Sequence, residues 1–441
     1  MKKANNSQAA LLGLQHLLAM YSGAVAVPLL IGTALGFNTE QMTYLVSIDI
    51  FMCGLATLLQ LMRNRYFGIG LPVVLGCAIQ AVEPLKMIGS QFTIQTMYGA
   101  IIVAGIFVCL VSGQFSKVKR LFPPVVTGTL ITVIGLTLIP IAVQNIGGGN
   151  ASAKDFGSLT NITLGFVTVI LILAIQVFAK GFLSSIAVLL GLASGSLVAA
   201  ALGLVSLAPL HEAPWFHVPQ PFYFGVPHFE WSSSVTMIII ALVSMVESTG
   251  VYFALGDILN KKITEKDLKL GYRAEGMAVI LGGIFNTFPY TTFSQNVGLL
   301  ELSGIKTKRP IYWSAGLLML LGLLPKAGAL ATMIPTPVLG GAMLVMFAMI
   351  SVQGIRILAS VDFTDQRNIL VVAVSIGLGL GVSIYPNIFQ NLPRTVQLFL
   401  GNGIVVASLS SVLLNLVFKG REGLAKKDIK QQVRVLEEVD E

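Results

Sequence analysis

Charge is what this 441-residue chain has least of. Asp, Glu, Lys and Arg make up 11% of it, against 55% hydrophobic residues and a mean hydropathy of +0.82. No water-soluble core of this length could hide so much apolar surface, so a soluble globular fold is excluded. Cysteine is also scarce: Cys53, Cys77 and Cys109 all lie in apolar segments, without CxxC or Cys/His spacing. The pattern predicts packed free thiols rather than a disulfide framework or a structural zinc site. Of four histidines, only His16 falls in an apolar run; His211, His217 and His228 belong to a long connector, 206–233. With no HExxH and no nucleophile-base pair in the apolar segments, a membrane-embedded hydrolase has nothing to work with, and we expect no enzyme, no metal and no cofactor. Gly147-Gly-Gly149 has no following Lys-Ser/Thr and reads as a turn, not a phosphate cradle.

What the chain has instead is apolar runs of membrane length. A hydrocarbon core about 30 Å thick needs about 20 helical residues per crossing. Fourteen segments qualify: 11–31, 43–62, 68–89, 98–116, 122–143, 161–179, 182–205, 234–257, 273–289, 290–305, 311–333, 338–355, 368–388 and 395–418. Lys2 and Lys3 precede the first run as in a signal peptide, but the run continues as a full span through His16 and Pro28. With the N-terminus inside, only Lys86, Lys154, Lys326 and Arg394 fall outside, so 24 of 28 basic residues (28 minus 4) obey the positive-inside rule. The net charge of +8 therefore reports orientation rather than nucleic-acid binding, with both termini expected in the cytoplasm. The polar tail 419–441 reads as a solvated cytoplasmic end.

A weak internal repeat sets Phe122-Pro-Pro-Val-Val-Thr-Gly128 against Pro335-Thr-Pro-Val-Leu-Gly-Gly341, each opening an apolar helix, seven spans apart. Seven being odd, the halves must have opposite orientation, as in inverted-repeat transporters. Two places look broken: the third span carries Gly68, Gly70, Pro72, Gly76 and Pro84, and the ninth and tenth together are short of two full crossings. Unwound backbone at membrane depth is tolerated where protein surrounds it or it lines a cavity, which places the expected binding site at these breaks.

The most informative single residue is Glu247, alone among apolar residues in the eighth span and followed by Ser248-Thr-Gly250. An ionisable group at membrane depth marks a substrate or ion path by default, although a structural pairing with a neighbouring helix is the plainer alternative. A carboxylate can accept from the ring N–H donors of a planar heterocycle. In the polar break Pro289-Tyr-Thr-Thr-Phe-Ser-Gln-Asn-Val-Gly298, Gln295 and Asn296 offer the donor-acceptor pairs that complement a purine edge, or else satisfy loose backbone at the break. His16 is a proton carrier or a helix-packing residue; Glu275 is a second titratable group or the partner of nearby Arg273. Asp49, Glu83, Asp257 and Glu301 have no evident ligand group or partner.

Gln295-Asn-Val-Gly-Leu-Leu-Glu-Leu-Ser-Gly304 resembles the signature of the nucleobase-ascorbate transporters, with Ser303 where the pattern has Thr. Gly13-Leu-Gln-His16, Gly68-Ile-Gly-Leu-Pro72, Phe122-Pro-Pro-Val-Val-Thr-Gly128, Val246-Glu-Ser-Thr-Gly250, Arg273-Ala-Glu-Gly276 and Phe285-Asn-Thr-Phe-Pro289 also look like this family, most of all its bacterial xanthine permeases. The resemblance implies an all-α polytopic membrane protein of fourteen segments in a 7+7 inverted repeat, with short strands in spans 3 and 10. Its core domain would comprise 1–120 and 234–333 and its gate domain 121–233 and 334–418, in a homodimer working by elevator movement. It implies that Glu247 and Gln295 hold the nucleobase and Asn296 shapes the site. Ala78 and Ile79 would contact substrate through backbone, while His16 and Glu275 tune affinity and proton coupling. The expected activity is proton-coupled import of xanthine across a bacterial inner membrane; uric acid or another purine is the alternative. A passive facilitator would need a continuous polar stripe and an inorganic-anion carrier would not need Glu247.

Overall fold

The computed structural model describes residues 6–115, 121–303 and 306–418. The basic group Lys117, Lys119 and Arg120, the signature's Gly304 and the tail from Lys419 lie outside the described residues. The chain begins with α1 (Asn6–Ala34) and α2 (Thr39–Leu61), then runs through an irregular stretch into strand β1 (Leu75–Cys77), a 3-10 turn at Ile79–Ala81 and α3 (Val82–Gln91). There follow α4 (Ile94–Val111), α5 (Pro124–Ile146), α6 (Leu159–Phe178) and α7 (Ala187–Ala201). Beyond the connector come α8 (Trp231–Ile258), α9 (Glu265–Ile284), strand β2 (Tyr290–Thr292) and α10 (Ser294–Ser303). The chain continues as α11 (Arg309–Gly322), α12 (Pro325–Thr332), α13 (Thr336–Leu358), α14 (Gln366–Ile384), α15 (Arg394–Leu400) and α16 (Gly403–Phe418).

Local chemistry sets several helix starts. Asn38 with Gln41 and Thr264 with Asp267 form capping boxes, Thr93 and Ser158 cap α4 and α6, and α5 and α13 open on proline in the first turn, where a missing N–H costs nothing. Among the described residues eight helices are long and apolar enough to cross a membrane: α1, α2, α4, α5, α6, α8, α13 and α14. The α11–α12 pair, bent by 82° at its break, raises the number to nine, and α7 and α16 are shorter apolar helices. α6 and α14 bury little of their surface and expose Ile170, Val177, Phe178, Val374 and Leu378, as helices facing hydrocarbon do.

The two expected breaks are real, and each holds a strand. β1 and β2 pair antiparallel, Leu75 opposite Thr292, Gly76 opposite Thr291 and Cys77 opposite Tyr290, forming a two-stranded sheet enclosed by helices. Enclosure is what makes extended backbone at this depth tolerable: Ala78 N–H donates to Pro289 O at 2.8 Å and Phe293 N–H to Val74 O at 3.0 Å. The entry to β1 needs glycine. At Gly68, φ is +91° and a Cβ would stand 2.1 Å from the Met62 carbonyl oxygen, so no L side chain fits. The ninth and tenth segments differ from the expected 273–289 and 290–305: α9 ends at Ile284, with Asn286 at φ 58° turning the chain into the strand.

Packing divides the helices. α4 lies along α9 and α8, and α11 along α2 and α1; separately, α5 packs along α13 and α14, and α6 along α7 and α13. α5 and α13 run antiparallel at backbone distance, with Gly128 against Leu358, Gly135 against Ser351 and Gly340 against Ile146. The proline openings of these two helices are 213 positions apart (337 minus 124), and the paired Gly76 and Thr291 are 215 apart (291 minus 76). Both antiparallel pairs thus join segments separated by nearly the same length of chain.

Candidate functional site

The sheet is the hub on which the polar residues converge. β1 delivers Ala78, Ile79 and Gln80, β2 delivers Thr291 and Thr292, and α8 crosses both with Ser244, Glu247, Ser248 and Thr249. Gln80 Nε2 donates to Glu247 Oε2 at 3.0 Å and to Ser244 Oγ at 2.8 Å, using both hydrogens of the amide nitrogen. Glu247 Oε1 has no hydrogen-bond partner among the described residues. Its carboxylate is therefore held from one side, with the other oxygen unengaged. Ser248 Oγ lies 3.2 Å from Thr291 Oγ1 and accepts from Thr292 Oγ1 at 3.2 Å, tying α8 to β2 one residue after Glu247. Glu247 is half-buried, and the 3-10 turn at Ile79 begins without a side-chain cap, leaving its first backbone N–H groups unserved by any side chain.

Asn296, buried in the first turn of α10, donates through Nδ2 to His16 O at 3.0 Å and lies 3.1 Å from His16 Nδ1. Of the alternatives open for Asn296, satisfying backbone is thus one role it fills, in α1 rather than at the break. Its buried Oδ1 has no partner among the described residues and is free to accept. His16 is buried and acts as the partner of Asn296. Gln295, one residue earlier, is exposed. Ala78 is buried with its N–H bound to Pro289, while Ile79 is half-buried.

Glu275 is buried in α9 and accepts from the Tyr252 hydroxyl, which in turn accepts from Gln60 Nε2 at 2.7 Å; Gln60 Nε2 also reaches Gly271 O at 2.9 Å. The pairing of Glu275 with Arg273 considered from sequence does not form: two residues along the helix put the side chains on different faces, and Glu275 points inward at Tyr252. A small cavity between α4, α8 and α9 is lined by Ser244, Glu275, Pro289 and Tyr290 among others. It does not include Glu247, Gln80 or Gln295, so it lies beside the polar cluster, and the hydrogen-bond geometry rather than this cavity defines the site.

The weaker sequence candidates separate clearly. Glu83 pairs with Lys86 at 2.8 Å, Asp257 and Glu301 are exposed, and Asp49 is fully buried against Cys53, Cys77 and Tyr290. Gly148 and Gly149 are turn residues with positive φ, as expected of the glycine triplet. Sequence reasoning missed Gln80. Its signal was an amide three residues past the strand of an otherwise apolar run, the counterpart of Gln295 three residues beyond β2.

At the end where α2 and α8 terminate, Lys306 Nζ donates to Ile258 O at 2.6 Å and Lys308 Nζ to Leu61 O at 3.3 Å, while Arg63 pairs with Asp267 at 2.5 Å. Burial alone would raise the Asp267 carboxyl, but the Thr264 N–H and hydroxyl together with Arg63 outweigh it and hold it below the usual carboxylate range. At the other end, Lys326 reaches Leu210 O at 2.7 Å and stands over the Trp215 ring.

Residues 7–388 match a family model described as "Permease family". The chain is 53% identical over 423 residues to the uric acid permease PucK of Bacillus subtilis, covering 96% of this chain and 98% of that protein. It is also 53% identical over 407 residues to the Bacillus subtilis xanthine permease, covering 92% and 93%, and 40% identical over 432 residues to the uric acid transporter UacT of Escherichia coli, covering 95% and 89%. Among solved structures it shares its fold with the transmembrane domain of the cyanobacterial bicarbonate transporter BicA, with TM-score 0.63 and 16% identity over 87% of this chain and 97% of that one. The murine anion transporter Slc26a9 in its inward-facing state is similar at TM-score 0.62 and 12% identity, over 93% and 68%.

Proposed function

Because the chain belongs to the nucleobase-ascorbate transporter family of permeases, an integral membrane protein and not an enzyme, we propose that it is a secondary active importer of xanthine coupled to protons. One observation carries the reading: a membrane-depth carboxylate, Glu247, is oriented by Gln80 against enclosed strands with its second oxygen unengaged. That oxygen accepts a ring N–H, the Gln295 amide and Asn296 Oδ1 provide further complementary groups, and Ala78 and Ile79 flank them through backbone. A site built of such groups rejects analogues lacking one of them, because its own buried polar atoms would be left unpaired. His16 acts through Asn296, tuning affinity.

Glu275 is the proton-coupling group in this account. Its protonation and the binding of xanthine each favour the other, a linkage that must be reciprocal. The equal chain separation of the antiparallel pairs supports a fourteen-segment 7+7 inverted repeat. The two packing groups of helices support a core of segments 1–4 and 8–11 moving in elevator fashion against a gate of 5–7 and 12–14. The basic residues gathered at the α2 and α8 ends support cytoplasmic termini, and a homodimer in the bacterial inner membrane completes the proposal. Uric acid is the second reading, favoured by the 53% identity to a uric acid permease. Uptake of labelled xanthine into proteoliposomes, with and without an inward proton gradient and with urate as competitor, tests both. Accumulation indifferent to the gradient removes the symport claim, and urate outcompeting xanthine makes urate the substrate.

A further inference from the structure

A second cluster of reactive side chains, apart from the nucleobase site, lies beneath the sheet. Two of the three cysteines, 24 positions apart in sequence (77 minus 53), meet there on one carboxylate. Asp49 and Cys53 stand one turn apart on α2, and Cys77 is the last residue of β1. Cys77 Sγ is 2.7 Å and Cys53 Sγ 3.8 Å from Asp49 Oδ2, and the ligand atoms of all three lie within 4.8 Å of one another. All three residues have no exposed surface. Asp49 Oδ1 is 3.0 Å from the Tyr290 hydroxyl of the opposing strand, which is itself 2.7 Å from Thr287 Oγ1. The carboxylate is thus fixed from behind while its other oxygen faces two sulfurs, the outer-shell arrangement that orients a metal ligand.

We propose that Asp49, Cys53 and Cys77 form a binding site for a thiophilic divalent cation such as Zn2+ or Cd2+. Two sulfurs and one carboxylate oxygen are the donor set that borderline-soft ions select over Mg2+ or Ca2+. The distances are close to what such an ion requires. With metal–sulfur bonds near 2.3 Å and metal–oxygen bonds near 2.1 Å at a tetrahedral angle, each sulfur sits about 3.6 Å from the oxygen. The Cys53 contact already has that length, and the Cys77 contact must open by about 0.9 Å, a small rotation of one side chain. Binding converts two thiols to thiolates, and the two protons leave to solvent as the ion enters, so charge and atoms balance. The site clamps α2 to β1 immediately before Ala78 and Gln80, and an occupying ion therefore holds the strand that positions Glu247 and slows transport. The proposal is independent of which substrate the nucleobase site carries.

The test uses the full-length purified protein and Cd2+ alone as probe, reading retained metal by mass spectrometry and the thiolate-to-cadmium ultraviolet band. About one Cd2+ per chain is expected for the wild type and for Cys109→Ser, with binding weakened about tenfold or more in Cys53→Ala, Cys77→Ala and Asp49→Asn. No retained Cd2+, or retention unchanged by losing Cys53 or Cys77, overturns it. Should those variants fail to fold, the wild type supplies a second readout: binding of one Cd2+ should release about two protons per chain into weakly buffered solution, as two thiols become thiolates. Cd2+ retained without proton release overturns the site.

Discussion

Replacing Gln80 by leucine keeps the side chain's bulk and removes the one donor that fixes Glu247. The amide nitrogen makes two bonds, 3.0 Å to Glu247 Oε2 and 2.8 Å to Ser244 Oγ. A hydrogen bond to a charged group is worth about 1.5–3 kcal/mol net, and a neutral one about 0.5–1.5 kcal/mol. The loss at Ser244 falls mainly on the fold, because that hydroxyl still donates to Ile240 O at 3.1 Å. The loss at Glu247 falls on binding, because a carboxylate free to rotate must be ordered again by the ligand. At 1.4 kcal/mol per factor of ten, Gln80→Leu should raise the xanthine Kd by about tenfold to a hundredfold. Gln80→Glu should be worse, since a second carboxylate beside Glu247 repels it. The assay is equilibrium binding of labelled xanthine to purified protein, with thermal melting to confirm folding. A folded Gln80→Leu protein that binds xanthine within about twofold of wild type would refute the orienting role, because so small a change is below the worth of one bond to a charged acceptor.

Other outcomes follow from the same geometry. Tyr252→Phe removes the donor to Glu275 while keeping the ring, so gradient-driven accumulation of xanthine should fall about tenfold or more while exchange of internal for external xanthine persists; equal loss of both would deny Glu275 its coupling role. Gly354→Leu drives a Cβ to within 2.3 Å of Thr132 N at the α5–α13 contact and should cost at least about 1–3 kcal/mol of stability in a detergent melt, whereas Gly377→Ala, with open space around it, should cost far less. Asp267 has a depressed carboxyl, so the stability it contributes is present above the unfolded value near pH 4 and lost as pH falls through the folded one. The Tm difference between wild type and Asp267→Asn should therefore be full at pH 7 and close under acid; a difference that grows on acidification would contradict the sign.

How much of this was legible depended on whether a feature was local. The breaks could be read from Gly68, Gly70, Pro72 and the Pro289–Gly298 stretch, because backbone-permissive and polar residues inside apolar runs have few other uses at membrane depth. Which half of a break forms a strand was not a property of composition: Leu75-Gly-Cys77 becomes β1 only because Tyr290-Thr-Thr292 lies beside it, 215 positions away. Glu247 stood out as a lone ionisable group, and Asn296 as part of the polar break. Gln80, the residue that gives Glu247 its orientation, is an amide whose partners come from another helix. The thiol cluster was invisible for the same reason, since spacing along the chain says nothing about residues 53 and 77 meeting across α2 and β1. For Glu275 the sequence leaves open a second titratable group or a pairing with nearby Arg273; helical geometry sends those two to different faces, and Tyr252 takes the place of Arg273.

Everything turns on whether the Glu247 carboxylate grips the substrate. Equilibrium binding of labelled xanthine to folded, purified Glu247→Gln protein addresses this directly. The account predicts a loss of affinity of about tenfold to more than a hundredfold, with thermal stability nearly unchanged, because the ligand loses a charge-assisted acceptor while the Gln80 amide still finds an oxygen to bond. Xanthine bound as tightly by the amide variant as by the wild type would contradict it.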